Sequence, residues 1–184
     1  KNLFVLFQAL EYMRAYHYVR VGWESLDALP LISGAIGLFK KEAVQEVNGY
    51  CRDTHADDFE MILKMHRIYT TNNKPYRIAH APKAISWTEV PETYEILKRQ
   101  RVRWQKGFNE CMWFNKKLTF LPNSGVMGWI GMPYQFIFEG FSPVFELTGY
   151  FITIICYFAG TLSYEGALAF LLMSIGSGLM VTFM

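Results

Sequence analysis

The chain contains no lysine, arginine or aspartate after residue 117. All 18 lysines and arginines lie in residues 1–117, and residues 118–184 carry only three charged side chains, Glu139, Glu146 and Glu165. So few charges do not suit the water-facing surface of an ordinary soluble domain. We therefore predict two regions: a mildly basic region of mixed composition, 1–117, and a membrane region, 118–184.

Cysteine and histidine are also sparse. The three cysteines form no C-x-x-C pair, and the four histidines form no H-x-x-x-H pair. This pattern argues against a disulfide framework or a zinc site and is typical of a reducing compartment. Glu11, Arg14 and Arg20 interrupt the apolar N-terminal stretch, which excludes a secretory signal peptide there.

Three apolar stretches follow residue 117. Leu118–Phe138 is broken by prolines and glycines, whereas 147–164 and 166–184 are uncharged runs of 18 and 19 residues. The two runs are near the minimum length of a spanning helix. We predict one interfacial or kinked segment and two to three transmembrane helices. A soluble, all-apolar helical core is the alternative, but three such stretches without a basic residue would be hard to keep in water.

The basic residues cluster just before the apolar region, at Lys98, Arg99, Arg101, Arg103, Lys106, Lys116 and Lys117. A basic flank of this kind predicts a cytoplasmic side for the first membrane helix and attraction to anionic lipid head groups. Nucleic acid is a weaker prediction, because no recognised binding motif accompanies the charge. We expect a multi-pass membrane protein with its 1–117 region in the cytoplasm.

Periodicity in the 1–117 region predicts a mixture of helices and strands. Residues 2–22 read as a helix, either interfacial or a buried amphipathic one. Segment 29–39 is predicted to be a short buried strand broken by a Gly-containing turn, and 74–79 and 83–90 are predicted to be strands or extended segments. The predicted further helices are 40–47 (ended by Asn48-Gly49), 61–69 and about 91–117. The fold class predicted from these elements is α/β.

Asp57-Asp58 precedes the predicted helix 61–69, for which helical spacing predicts one apolar stripe through Phe59, Ile62, Leu63 and His66. One interpretation is a helix cap, with Asp57 as the cap and Glu60 completing a capping box. A carboxylate held at a helix start is also a usable general base for an attacking hydroxyl. Only one of the two aspartates can face a given ligand, since adjacent helical residues point about 100° apart.

The pentapeptide Gln100-Arg101-Val102-Arg103-Trp104 puts two guanidiniums, an amide and an indole within about one and a half helical turns. Gln100, Arg103, Trp104 and Gly107 share one helix face by spacing, and Arg101 points elsewhere. Arginine suits phosphate oxygens, and an indole suits the C–H face of a sugar ring. In the alternative interpretation, Trp104 belongs to a stripe of residues that faces the core, and the arginines form a basic surface exposed to solvent or lipid. That stripe would contain Tyr94, Leu97, Phe108 and Cys111.

The ordered set of motifs resembles the C-terminal half of a processive family 2 glycosyltransferase. This is the group of inverting membrane enzymes that includes cellulose, hyaluronan and poly-N-acetylglucosamine synthases. The motifs are Ile32-Ser33-Gly34-Ala35, Asp57-Asp58, Trp87-Thr88-Glu89-Val90-Pro91 and Gln100-Arg101-Val102-Arg103-Trp104, followed by the apolar stretches.

The resemblance implies the C-terminal part of a GT-A nucleotide-sugar domain. Asp58 stands in the position of the catalytic base, and Asp57 replaces the glutamate that usually precedes it. Gln100, Arg103 and Trp104 line the site in the family pattern, where the arginine binds the diphosphate and the tryptophan stacks beneath the acceptor sugar. Arg101 and Asp57 are expected to be further substrate-binding residues.

The family's metal-binding D-x-D motif has no counterpart in this chain. The resemblance implies Mg²⁺ or Mn²⁺ bound by residues upstream, supplied by a missing N-terminal half or another subunit. The implied partners are a nucleotide-sugar donor, expected to be a UDP-sugar, a glycan acceptor and membrane lipids.

Three rival functions remain open. The first is transfer of a single sugar to a lipid carrier, which the pentapeptide disfavours. The second is a non-catalytic membrane scaffold that retains a remnant of the fold. The third is a transporter segment, which would need polar or charged residues within the spans.

Overall fold

The structure is a computed structural model that describes the backbone of residues 2–183 and the side chains of residues 2–173. All regular elements in those residues are helical, and they fall into two compact units, Lys1–Phe136 and Ile137–Met184. The α-helices are α1 Leu3–Arg14, α2 Arg20–Ser25, α3 Lys41–Glu46, α4 Asp57–Thr71, α5 Tyr94–Phe114, α6 Met132–Tyr134, α7 Ser142–Phe158 and α8 Tyr164–Phe183. The predicted boundary between residues 117 and 118 stays a prediction.

The helix predicted over 2–22 is present. Asn2 begins it by accepting a hydrogen bond from Phe4 N at 3.0 Å, and a π-helical segment, Ala15–Val19, joins α1 to α2. Gln8 is the buried residue of α1, whereas apolar side chains such as Leu3 and Phe4 stay exposed. Helix α1 therefore presents apolar surface outward and anchors itself through polar groups.

The three predicted strands are absent from the described residues. In 29–39, Leu29 is buried and Gly34–Ile36 forms a 3-10 turn, while Leu38 is almost fully exposed. Segments 74–79 and 83–90 are irregular. An isolated segment cannot form a strand, because the ladder hydrogen bonds need a neighbouring strand. The strand predicted over 29–39 is therefore wrong; 74–79 and 83–90, predicted as strands or extended segments, form no strand, and the α/β class is not confirmed.

The helix predicted over 40–47 is confirmed as α3. It ends before Asn48 and Gly49, whose φ angles are 60° and 70°. The left-handed conformation at this pair ends the helix, and glycine and asparagine tolerate it best.

Helices α4 and α5 form the core of the first unit. The ring of Phe59 in α4 stacks on that of Phe108 in α5, with centroids 5.3 Å apart and planes 8° apart. The predicted apolar stripe of α4 is confirmed, since all four of its members are buried. These are Phe59, Ile62, Leu63 and His66. Helix α5 matches the long helix predicted over about 91–117, starting three residues later and ending three earlier.

The second unit contains α7 and α8, which pack together through Tyr150 and Phe170, whose ring centroids are 6.5 Å apart. Large apolar side chains of α7, including Phe151 and Phe158, are exposed. The predicted run 166–184 overlaps α8, and its side chains beyond residue 173 lie outside the described residues.

The predicted transmembrane helices are not confirmed. No single helix of the described chain is both apolar and long enough to span a bilayer. The consecutive segments Met127–Gly140 and Ser142–Phe158 pass that test only when they are taken together, across a break at Phe141. The first of these overlaps the predicted interfacial or kinked segment, Leu118–Phe138, and contains π-helical turns on either side of Pro133.

His66 is a buried structural residue of α4. Its Nε2 donates to the carbonyl of Leu29 at 2.9 Å, and its Nδ1 is 2.7 Å from the hydroxyl of Tyr76. Since a carbonyl only accepts, Nε2 carries the proton and Nδ1 accepts from Tyr76. Burial lowers the pKa of His66 from 6.5 to about 4, so the folded protein holds it neutral.

His66 should make the first unit less stable in mild acid. Its pKa is lower in the folded than in the unfolded chain, so its contribution is complete above pH 6.5 and is lost as the pH falls toward 4. We expect a loss of about 2 kcal/mol between pH 7.5 and pH 5. Denaturant unfolding of the wild type and of His66→Gln should show that the variant lacks this part of the pH dependence. Equal pH dependence in both proteins would contradict the assignment.

Candidate active site at the start of helix α4 and on helix α5

The predicted cap of α4 was wrong. The N-cap is Ala56, with Asp57 and Asp58 as the first two helical residues, and no side chain bonds to the cap in the way a capping box requires. Glu60 is instead buried and forms an ion pair with Lys64 at 3.1 Å. The two aspartates still lie in the first turn, where the helix dipole favours negative charge.

Asp58 is held more closely than Asp57. Its Oδ1 accepts a hydrogen bond from Phe59 N at 2.9 Å, and a methyl group placed on Gly34 would lie 2.7 Å from its Oδ2. Asp58 is half-buried, whereas Asp57 is exposed. Of the pair, Asp58 is therefore the carboxylate with a defined environment. That environment depends on Gly34 having no side chain.

The start of α4 lies directly against α5. A methyl group on Gly107 would lie 2.7 Å from Cβ and 2.9 Å from N of Ala56. On the next turn, Sγ of Cys111 lies 3.2 Å from both the Thr54 hydroxyl and the Ala56 carbonyl. Gly107 shares a helix face with Trp104, one turn earlier. The structure thus brings the acidic pair beside the helix that carries the pentapeptide.

The pKa of Cys111 reports on the same neighbourhood. Burial raises it to about 12, and the negative charges of Glu60, Asp58 and Glu110 add to the shift. The thiol is therefore protonated at neutral pH and unsuited to nucleophilic catalysis.

The pentapeptide residues have different environments. Trp104 is 37% exposed and is not part of the buried core, as Phe108 and Cys111 are, so the core-stripe alternative does not describe it. Oε1 of Gln100 is buried without a hydrogen-bond partner. Arg103 is exposed.

Arg101 makes a bidentate ion pair with Glu11 of α1. Its Nη1 donates to Oε1 at 2.7 Å, and its Nη2 donates to Oε2. The same guanidinium lies 5.0 Å from the ring centroid of Trp104. The hydrogen bonds from Arg101 to Glu11 raise the pKa of the guanidinium further above its usual value. The Arg101 guanidinium thus contacts Glu11 and Trp104 on the side of α5 that faces α1.

Arg103 lines an open depression of about 610 Å³ on the exposed face of α5. The depression is rich in basic side chains, namely His55, Lys98, Arg99, Arg103 and Lys106. His55 comes from the segment before Asp57, and its Nδ1 lies 3.0 Å from Oε2 of Glu110. That hydrogen bond lowers the pKa of Glu110. Such a basic surface is suited to an anionic ligand.

The described residues contain no group of three histidine, cysteine, aspartate or glutamate side chains placed to hold a metal ion. The Mg²⁺ or Mn²⁺ that the resemblance implies, bound by residues upstream of this chain, stays a prediction.

A family model described as "Glycosyl transferase family group 2" matches residues 1–183. The chain belongs to this glycosyltransferase family. It is similar to the poly-beta-1,6-N-acetyl-D-glucosamine synthases of Staphylococcus epidermidis, at 32% identity, and of Staphylococcus aureus strain COL, at 34% identity. Each alignment covers 105 residues, 57% of this chain and 24% of the relative. The chain thus spans about a quarter of the length of these relatives, and no solved structure matches it.

Two features of the glycosyltransferase chain had no signal in local sequence. Glu11 is 90 positions from Arg101, so spacing along a helix could not pair them. Gly34 is predicted only to form a turn, whereas in the structure it makes room for the Asp58 carboxylate, which comes 24 positions later.

Gly107→Ala should destabilise the first unit. The added methyl meets backbone atoms of Ala56, and overpacking of this kind costs about 1–3 kcal/mol, which exceeds the gain in helix propensity of about 1 kcal/mol. We expect a net loss of about 1 kcal/mol in denaturant unfolding, the middle of the overpacking range less the gain in helix propensity. Gly22→Ala in α2 is the matched control, since a methyl there meets nothing within 4 Å. Equal or greater stability of Gly107→Ala would contradict the close contact.

Proposed function

We propose that the chain carries the acceptor side of an inverting glycosyltransferase that adds sugars from a nucleotide-sugar donor to a growing polysaccharide. The observation that carries this proposal is the contact of Ala56 with Gly107, which sets Asp58 beside the helix of Gln100, Arg103 and Trp104. The similarity to proteins named poly-beta-1,6-N-acetyl-D-glucosamine synthases supports a polysaccharide product and makes UDP-N-acetylglucosamine the first donor to test.

Asp58 is the proposed general base. In this role its carboxylate takes the proton of the acceptor hydroxyl as the hydroxyl oxygen attacks the anomeric carbon, and the bond to the nucleoside diphosphate breaks. Attack from the opposite face inverts the anomeric centre. Positioned base catalysis contributes roughly 10²- to 10⁴-fold in rate. Support comes from the half-buried position of Asp58 between Gly34 and the first turn of α4.

The basic depression on α5 is the proposed site of the leaving diphosphate. Arg103 would contact its oxygens, and Lys98, Arg99 and Lys106 would supply further positive charge. Gln100, whose Oε1 is buried without a partner, is proposed to contact a sugar or nucleotide group on the same face. Asp57 is exposed in the first turn of α4 and is proposed as a secondary substrate contact.

Trp104 is the proposed floor beneath the acceptor sugar. Its indole is 37% exposed, which leaves aromatic surface for the C–H face of a pyranose. A sugar held on a rigid aromatic surface presents its hydroxyl in a fixed direction, and orientation of this kind lowers the entropic part of the barrier.

The chain is proposed to complete a GT-A domain at the cytoplasmic face of a membrane, with 118–184 in or along the bilayer. The exposed apolar surface of α7 and the lack of basic residues after 117 support this location. No step is assigned to Mg²⁺ or Mn²⁺, because the described residues do not gather the donors for it.

The test uses membranes from cells that express the complete gene product. They would be incubated with radiolabelled UDP-N-acetylglucosamine and, in parallel, with other UDP-sugars, with and without Mg²⁺ or Mn²⁺. Long products on a sizing gel are expected. Lipid-extractable material bearing a single sugar would instead support transfer to a lipid carrier, and no transfer from any donor would support a non-catalytic scaffold.

Asp58→Asn should abolish transfer and preserve donor binding. The amide cannot accept the proton, so we expect a rate loss of about 10²- to 10⁴-fold. Asp57→Asn is the matched control, and its loss should be smaller because Asp57 is exposed. The measurements are initial transfer rate and binding of the labelled donor. Polymer formation by Asp58→Asn at the wild-type rate would rule out the assigned role.

Gly34→Ala should reduce transfer with little effect on stability. The added methyl meets the far end of the Asp58 side chain, which can rotate away at low cost but then leaves its position. We expect a loss on the order of tenfold or more in rate, because misplacement by about 1 Å can cost 100-fold. Transfer rate and denaturant unfolding would be compared with Gly22→Ala. Unchanged transfer would contradict a functional contact between Gly34 and Asp58.

A further inference from the structure

Helix α1 docks on the start of α5 through polar contacts. Asn2 Nδ2 donates to the Glu92 carbonyl at 2.6 Å, and Gln8 Nε2 donates to the Pro91 carbonyl at 2.8 Å. One turn further along α1, Glu11 pairs with Arg101. Of these three contacts, the last reaches into the pentapeptide.

The pair between Glu11 and Arg101 also acts on Trp104. The Arg101 guanidinium sits 5.0 Å from the centre of the indole, within the range of a cation–π interaction. Its two donors on Glu11 fix the plane and position of the guanidinium, since a bidentate pair has little freedom to rotate. A fixed cation beside the ring restricts the rotamers of a side chain that is otherwise partly exposed.

We propose that Glu11 and Arg101 are positioning residues, which hold the indole of Trp104 in the orientation that receives the acceptor sugar. The proposal assigns Arg101 a role different from direct substrate binding. It rests on the proposed function insofar as Trp104 is the acceptor floor. The geometric part, the control of Trp104 by the pair, does not depend on the reaction.

A charge exchange separates this role from simple attachment of α1. In the double variant Glu11→Arg with Arg101→Glu, the ion pair between the helices re-forms with reversed sign. The group beside the indole is then a carboxylate, which the negative face of the ring repels. If the pair serves only to attach α1, the exchange restores both the attachment of α1 and the rate of elongation. If the guanidinium positions Trp104, the exchange restores the attachment of α1 but not the rate of elongation.

The experiment uses the complete gene product in detergent, labelled with 5-fluorotryptophan. The ¹⁹F resonance of Trp104 is identified by its loss in Trp104→Phe. We expect that resonance to shift in Glu11→Gln, in Arg101→Lys and in the charge exchange. The matched control is Glu24→Gln, which removes the ion pair of Glu24 with Arg77, 3.3 Å long, on the same helical run. It should leave the Trp104 resonance in place.

Elongation and donor hydrolysis are measured on the same variants. Arg101→Lys and the charge exchange should slow elongation on the order of tenfold, the size of a lost cation–π contact, and should raise KM for an added oligosaccharide acceptor. Hydrolysis of the donor by the charge exchange should match the wild type, and the unfolding midpoint of the charge exchange should lie above that of Glu11→Arg alone, because the ion pair between the helices is restored. A Trp104 resonance that is indifferent to Arg101, or full recovery of elongation in the charge exchange, would overturn the proposal.

The controls also separate this proposal from the proposed function. If Trp104→Ala elongates at the wild-type rate, or Asp58→Asn still transfers sugar, the proposed function fails, and the resonance alone then decides whether the pair controls Trp104. If Trp104→Ala slows elongation and Arg101→Lys does not, the proposed function stands and the positioning role is wrong.

Discussion

Helix α5 can approach the segment before α4 closely because Gly107 has no side chain. Around that contact, Glu110 accepts a hydrogen bond from the backbone N–H of His55 at 3.0 Å, and Cys111 contacts Thr54 and Ala56. Three neighbouring positions of α5 therefore fix the residues that precede the acidic pair. The start of α4 is therefore held by contacts with α5 rather than by a side-chain cap of its own helix.

The two arginines of the pentapeptide face different surfaces because they are two residues apart. Positions i and i+2 of an α-helix point about 200° apart. Arg101 accordingly turns to Glu11 of α1, and Arg103 turns to the basic depression with His55. Trp104 lies between these directions and contacts the first of them. Substituting either arginine by lysine would keep the charge but not the planar fork, which matters most at the bidentate pair.

Local sequence predicted the helices well and their long-range partners poorly. The stripe through Phe59 and Leu63, the end of α3 at Asn48-Gly49 and the long α5 all follow from periodicity and turn chemistry. The extended segments could not be decided in the same way, since a strand exists only through pairing with another segment. Leu38 illustrates this: its apolar context predicted burial, yet it is 99% exposed.

The candidate site shows the same division. The face shared by Gln100, Arg103, Trp104 and Gly107 follows from helical spacing alone. The residues that pack against that face cannot be predicted in this way, because Ala56, which contacts Gly107, is more than 50 residues away in the sequence. The capping box is absent because the helix begins one residue earlier than that interpretation requires: with Ala56 as the N-cap, Glu60 is the fourth helical residue and pairs with Lys64.

On the proposed function, the basic residues of α5 and those that follow it have separate tasks. Arg103 and its neighbours face the depression, where a diphosphate would compete with lipid for them. Lys116 comes after α5 and lies 3.4 Å from the ring centroid of the exposed Trp113. A cation beside an exposed indole, at the start of a segment without basic residues, suits a membrane interface, because both side chains combine an apolar body with a polar end. Electrostatic attraction to a charged surface falls off over about 8 Å in physiological salt. If the chain lies at a membrane as proposed, Lys116 and Lys117 would hold the end of α5 at the bilayer, and the arginines earlier in α5 would remain available to the leaving group.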